Sequence, residues 1–182
     1  MDWRTLGVVA LLVVAGCAGS PLSASEPGTD GDATAATTAT ACSPTAQSTA
    51  TAERPRVTVC DRERNDRLGA VTVEIADTPD EQYTGLSEHE SLGADEGMLF
   101  VYPDEGRHTY VMRSMDFPID IVYVDADGRI TEIHHAPTED DNEDLTPYPG
   151  RGKWVLEVPY NWTVERGVEE GDRVVVAGTE GS

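Results

Sequence analysis

The sequence predicts a mainly β fold: a single compact β-sandwich or barrel-like domain with two short helices, preceded by a disordered tether. Three observations predict it. From residue 53 onward, short runs of Val, Ile and Tyr recur between turns built from Gly, Pro and Asp. Only two segments carry helix start and stop signals. Before them, residues 18–52 are almost entirely Ala, Thr, Ser, Gly and Pro, with Leu22 the single large aliphatic; such a stretch cannot bury enough apolar surface to offset the entropy of ordering it.

Each element of the head (residues 53–182) follows from a local pattern. Arg56 to Cys60 alternates like a strand, and Val71, Val73 and Ile75 form a second with Thr72 and Glu74 opposite. Thr78-Pro79-Asp80-Glu81 has the form of a capping box with Pro at the first helical position, so a short helix follows, ended by Gly85. Gly97 to Tyr102 is continuously apolar, as a strand buried on both faces is. Pro103-Asp104-Glu105-Gly106 predicts a turn, and His108 to Met112 the next strand. Ile119 to Val124 and Arg129 to His135 flank Asp125-Ala126-Asp127-Gly128, a hairpin signal. Lys153 to Val158, a helix from Trp162 to Arg166, and Arg173 to Ala177 complete the set.

Residues 1–17 read as an export signal. Arg4 gives a thin positive start, and Leu6 to Ala15 is an apolar run shorter than the ~20 residues that span a bilayer. The ending Val14-Ala15-Gly16-Cys17 resembles the lipobox of bacterial and haloarchaeal lipoproteins, which implies cleavage before Cys17 and a lipid on its thiol. The expected location is therefore the outer face of the cytoplasmic membrane, with the membrane engaged through Cys17. A flexible tether of that length has a root-mean-square reach of ~30–35 Å. With Cys17 lipidated, Cys42 and Cys60 remain, either as free thiols or, as expected outside the cytoplasm, as a disulfide.

Charge narrows the partners. Asp and Glu number 34 against 13 Lys and Arg, a net charge of −21. Nucleic acid and anionic membrane patches are repelled by such a surface. Among the basic residues only Lys153 is Lys. Dense carboxylates with almost no Lys suit a protein hydrated in concentrated salt, where screening shrinks self-repulsion; a halophile's protein is expected.

The residues with chemistry are few. Asp120 alternates onto the apolar face of Val122 and Val124, a costly place for a carboxylate unless it is paired. It is either an acid–base group or a structural anchor for backbone amides or Arg113. His134 shares a face with Glu132, and His108 lies on another strand. Asp120 with His108 or His134 is the weak catalytic set. The acidic run Glu139 to Asp144 lacks the spacing of an EF-hand loop and reads as a solvated loop. No cofactor and no metal are expected. Asn161-Trp162-Thr163 is an acceptor triplet for N-glycosylation, unless Thr163 merely begins the last helix.

Several landmarks resemble one family. These are Val73-Glu74-Ile75-Ala76-Asp77-Thr78-Pro79, Gly85-Leu86, Gly97-Met98-Leu99-Phe100, Tyr110-Val111-Met112-Arg113, Pro118-Ile119-Asp120-Ile121, Asp127-Gly128-Arg129-Ile130, Leu156-Glu157-Val158-Pro159 and Gly171-Asp172-Arg173-Val174. In this order they resemble the uncharacterised ACR family, domain of unknown function 192, over residues 70–176. The resemblance implies a compact, mainly β domain, often secreted or lipid-anchored, and supplies no catalytic residues. Ser87 stands where Met commonly follows Gly-Leu, and Arg113-Ser114-Met115 replaces a Lys-Asn-Thr-like segment.

Two functions follow as expectations. One is a non-enzymatic surface module that binds a cell-envelope glycan or a surface protein through Tyr110, Met112, Arg113, Asp116 and Asp120. The other is an extracytoplasmic hydrolase, metal-assisted or not, built on Asp120 and a His.

Overall fold

The computed structural model describes Cys42 and residues 54–177. The export signal, Cys17 and the tether apart from Cys42 lie outside the described residues.

Seven strands and two short helices follow one another as β1 (Arg56–Cys60), β2 (Arg67–Ala76), α1 (Pro79–Thr84), β3 (Glu96–Tyr110), β4 (Ile119–Val124), β5 (Ile130–Ala136), β6 (Tyr148–Pro159), α2 (Trp162–Arg166) and β7 (Arg173–Ala177). All seven strands join one sheet in the order β5-β4-β6-β3-β2-β1-β7. Every neighbouring pair is antiparallel except β2 and β3, which run parallel because α1 carries the chain back between them. The sheet curls until its two ends meet at an Arg129–Arg173 bridge. Ile130 N–H to Asp172 O (2.9 Å), Gly171 N–H to Ile130 O (2.8 Å) and Val174 N–H to Gly128 O (2.7 Å) close the seam. The result is a partly closed barrel.

Alternation divides the side chains between two cores. Val57, Val59, Val71, Val73, Leu99, Val122, Val124, Leu156 and Val158 fill the inside of the curl with Trp162 of α2. The opposite residues of the same central strands form a second core: Met98, Phe100, Ile121, Tyr123 and Val155, with Leu86 and Met112 from the covering loops. This outer face of β3, β6 and β4 carries the site described below.

Two sequence expectations change. Pro103 to Gly106 does not separate two strands: β3 runs through it, with a register irregularity between Val101 and Gly106. Correspondingly, β6 starts at Tyr148 rather than Lys153, because Tyr148 to Gly152 pairs with Gly106 to Tyr110.

α1 has six residues, too short to persist alone. Its capping box is complete: Thr78 Oγ1 accepts from Glu81 N–H, and Glu81 accepts from Thr78 N–H at 3.1 Å. Thr78 Oγ1 also donates to Glu81 Oε2 at 2.8 Å, and this bond first, then the one from Thr78 N–H, holds the Glu81 carboxyl below its usual range. Gln82 Nε2 donates to Val101 O at 2.9 Å and fastens the helix to β3. Gly85 ends the helix at φ +50, a conformation that costs side-chain-bearing residues energy. Cys42 is joined to Cys60 at the end of β1, with Cα atoms 6.1 Å apart, and its N–H donates to Asn65 O.

Candidate functional site

Between α1 with its following loop and the segment after β3 lies a cavity of about 230 Å³. Leu86, Phe100, Met112, Met115 and Ile119 supply apolar walls, with Tyr83 and Arg113 also in the lining. The Arg113 guanidinium lies 4.1 Å from the Tyr83 ring centroid and donates to the Tyr83 carbonyl at 2.6 Å. Ser114 takes a left-handed φ of +55, held by its N–H donating to Asn142 Oδ1 at 2.7 Å. The acidic loop thus buttresses the segment that lines the cavity.

The lining also holds Glu157, on β6 between Met98 of β3 and Ile121 of β4. Glu157 is 6% exposed, and no hydrogen bond reaches its carboxyl from the described residues. Burial pushes the carboxyl up to about 8. Ordinary buried carboxylates are paired or coordinated. Among the described residues Glu157 is neither, and it lines the cavity.

Three tyrosines share this face. Tyr102 and Tyr110 hydroxyls meet at 2.8 Å, and Tyr123 Oη donates to Tyr148 O at 2.6 Å. Burial, with added repulsion from Glu157, raises the pKa of Tyr110 and Tyr123. Burial also raises Tyr102, against the lowering effect of its bond to Tyr110. These phenols therefore stay neutral. Phe100, Tyr110, Tyr123 and His134 contact one another edge to face at centroid separations of 5.0, 6.0 and 5.9 Å.

Asp120 sits on the other side of the sheet, fully buried. Its oxygens accept from Asn161 N–H (3.0 Å), Thr163 N–H (3.0 Å), Thr163 Oγ1 (2.6 Å) and His135 Nδ1 (2.7 Å). Asn161, the residue before α2, makes no side-chain cap, so a carboxylate from β4 supplies it.

The weak catalytic set is not assembled. β4 pairs Asp120 with His135 and Ile121 with His134, so His134 stands on the opposite face. There its Nε2 lies 2.8 Å from Pro149 O and 3.5 Å from Glu132. His108 stacks on Tyr102 at 3.6 Å and bonds Gly152 O. The predicted binding face also divides: Tyr110, Met112 and Arg113 line the cavity, Asp116 is exposed outside its lining, and Asp120 is across the sheet. Asn161 is exposed, while the Thr163 hydroxyl of its triplet is buried against Asp120. Sequence reasoning missed Glu157 and His135. A lone carboxylate in the apolar run Val155-Leu156-Glu157-Val158 was the signal for the first. No group of three or more His, Cys, Asp or Glu among the described residues converges as a metal site.

Comparison with known proteins agrees with this architecture. No curated protein sequence matches the chain. A crystal structure of a protein of unknown function from Novosphingobium aromaticivorans DSM 12444 is 33% identical, with a TM-score of 0.58, covering 66% of this chain and 83% of that one. A second structure, from Sinorhizobium meliloti 1021 and described as a candidate transcription regulator, is 26% identical with a TM-score of 0.61, covering 70% and 98%. The model of the uncharacterized ACR family matches residues 60–176, and the chain belongs to that family, DUF192.

Proposed function

We propose that the head is a binding module for a small molecule, held at the cell surface by a lipid on Cys17. The carrying observation is the cavity of about 230 Å³ that contains an unpartnered buried carboxyl, Glu157. Drug-sized ligands occupy pockets of roughly 300–1,000 Å³, so this cavity suits a single small group or ring, such as one unit of an envelope component. The lipobox-like Val14-Ala15-Gly16-Cys17 and the Ala/Thr/Ser-rich tether support the location. The charge of −21 with a single Lys supports a saline habitat and argues against a nucleic-acid partner.

Ligand-observed NMR on the full chain with a library of cavity-sized molecules tests the binding role. Saturable binding is expected, lost in Ser87→Trp, which places an indole in the lining. A library with no binder at millimolar concentration, or undiminished binding by Ser87→Trp, overturns the proposal. Labelling with a radiolabelled lipid precursor in a host that processes lipoproteins, compared with Cys17→Ala, tests the anchor; an unlabelled parent protein sinks it. For the habitat, the unfolding midpoint is expected to rise between about 0.1 M and about 1 M KCl, as the screening length falls from about 10 Å to about 3 Å. A flat response removes that part of the reading.

A further inference from the structure

We infer that the cavity accepts a compact organic cation of the alkylammonium class, with the Glu157 carboxylate as its anchor and counter-ion. This rests on the binding-module reading and specifies the ligand's chemistry. Four observations carry it. First, Glu157 is the only acid in the lining, and it has no hydrogen-bond donor among the described residues. A cation entering the cavity supplies the ionised carboxyl with its missing partner, which an anion cannot do. Second, the one basic residue of the lining, Arg113, is engaged with the Tyr83 ring and carbonyl. Third, the lining includes the aromatic rings of Phe100 and Tyr110 and the thioethers of Met112 and Met115, polarizable groups that favour a cation with an alkyl body. A hard inorganic ion would need six or more oxygen ligands, and Glu157 is the only carboxylate in the lining. Fourth, a net charge of −21 draws cations toward the whole molecule.

Binding is coupled to a proton. With the Glu157 carboxyl pushed up to about 8, the resting group is mostly protonated at neutral pH. The alkylammonium keeps its own proton. The carboxyl releases one to solvent as the ion pair forms, so charge balances. The titratable groups coupled to Glu157 are Tyr102 and Tyr110 on β3 and Tyr123 on β4, while the Arg113 guanidinium, in the same lining, sits on Tyr83. The tyrosines are raised and stay neutral throughout. Affinity for the cation therefore rises about fiftyfold from pH 6 to pH 8, following the ionised fraction of one carboxyl.

Calorimetry on the full chain, with n-butylammonium, 1-butanol and butyrate at constant ionic strength in two buffers of different ionisation enthalpy, tests this. Expected are binding of n-butylammonium at least tenfold tighter than 1-butanol, no binding of butyrate, and release of close to one proton at pH 7. Glu157→Gln should weaken n-butylammonium tenfold or more and abolish the proton release. If that variant does not fold, the proton count on the parent protein still decides. Binding of 1-butanol as tightly as n-butylammonium without proton release, or preferential binding of butyrate, overturns the cation anchor but leaves the cavity a ligand site. If none of the three binds or moves the Met112 and Met115 methyl resonances, both readings fall.

Discussion

Glu157→Gln is also a probe of folding energetics. The parent carboxyl has an ordinary value of 4.5 when exposed in the unfolded chain and about 8 when folded. Below pH 4.5 both states bind the proton, and the carboxyl imposes no cost through ionisation. As pH rises toward 8, the unfolded chain ionises and the folded one does not, so folding becomes progressively less favourable. With one pKa unit equal to 1.36 kcal/mol, linkage gives a cost of about 1 kcal/mol at pH 5 and about 4 kcal/mol at pH 8. Glutamine keeps the shape and cannot ionise. Urea unfolding of both proteins at pH 5 and pH 8, at fixed salt, isolates this one group because every other titration is shared. The variant should gain about 3 kcal/mol on the parent between the two pH values. Parallel stability curves would refute the reasoning, showing that water or a partner already stabilises the charged carboxylate.

Asp120→Asn places an amide NH2 or a weaker acceptor among four donors. It should cost about 3 kcal/mol, within the range for breaking a buried charged network, and raise amide exchange at Thr163 in hydrogen-exchange measurements. Unchanged exchange would show that α2 holds itself. Gly97→Ala would put a Cβ 2.5 Å from the Glu157 carbonyl oxygen, forcing β6 away from β3. A loss of about 1–3 kcal/mol, as overpacking usually costs, is expected by denaturant unfolding, together with shifted Met98 resonances. The Cys42–Cys60 disulfide spans a sequence separation of 18. Reduction should lower stability by about 3 kcal/mol on the loop-entropy account, read as a fall in melting temperature with dithiothreitol that Cys42→Ser abolishes.

Much of this fold was legible from local pattern. β1, β4, α2 and β7 lie where alternation and turn residues put them, and the α1 capping box formed as written. What was hidden is long-range. Nothing in Pro103 to Gly106 announces that β3 continues, because the pairing partner that carries it, Tyr148 to Gly152, sits some forty residues later in a segment rich in Pro and Gly. The site was hidden for the same reason. Alternation placed Asp120 correctly on its face. It could not say that β5 aligns His135, not His134, beside it, since a one-residue change of register exchanges the two. Glu157 stood in plain view as a family landmark. Its meaning came only when β3 and β4 flanked it with Met98 and Ile121 and the loops roofed the space above.

The pairing of β1 with β7 has a kinetic consequence. β1 is hydrogen-bonded along its length to β7, and Arg62 N–H reaches Asp172 across 110 residues of chain. The barrel's first strand therefore waits for its last. Forming so distant a contact is entropically slow, and a nascent chain lacking β7 leaves β1 with an unsatisfied edge. Folding of this head should thus complete only once β7 is available to pair with β1.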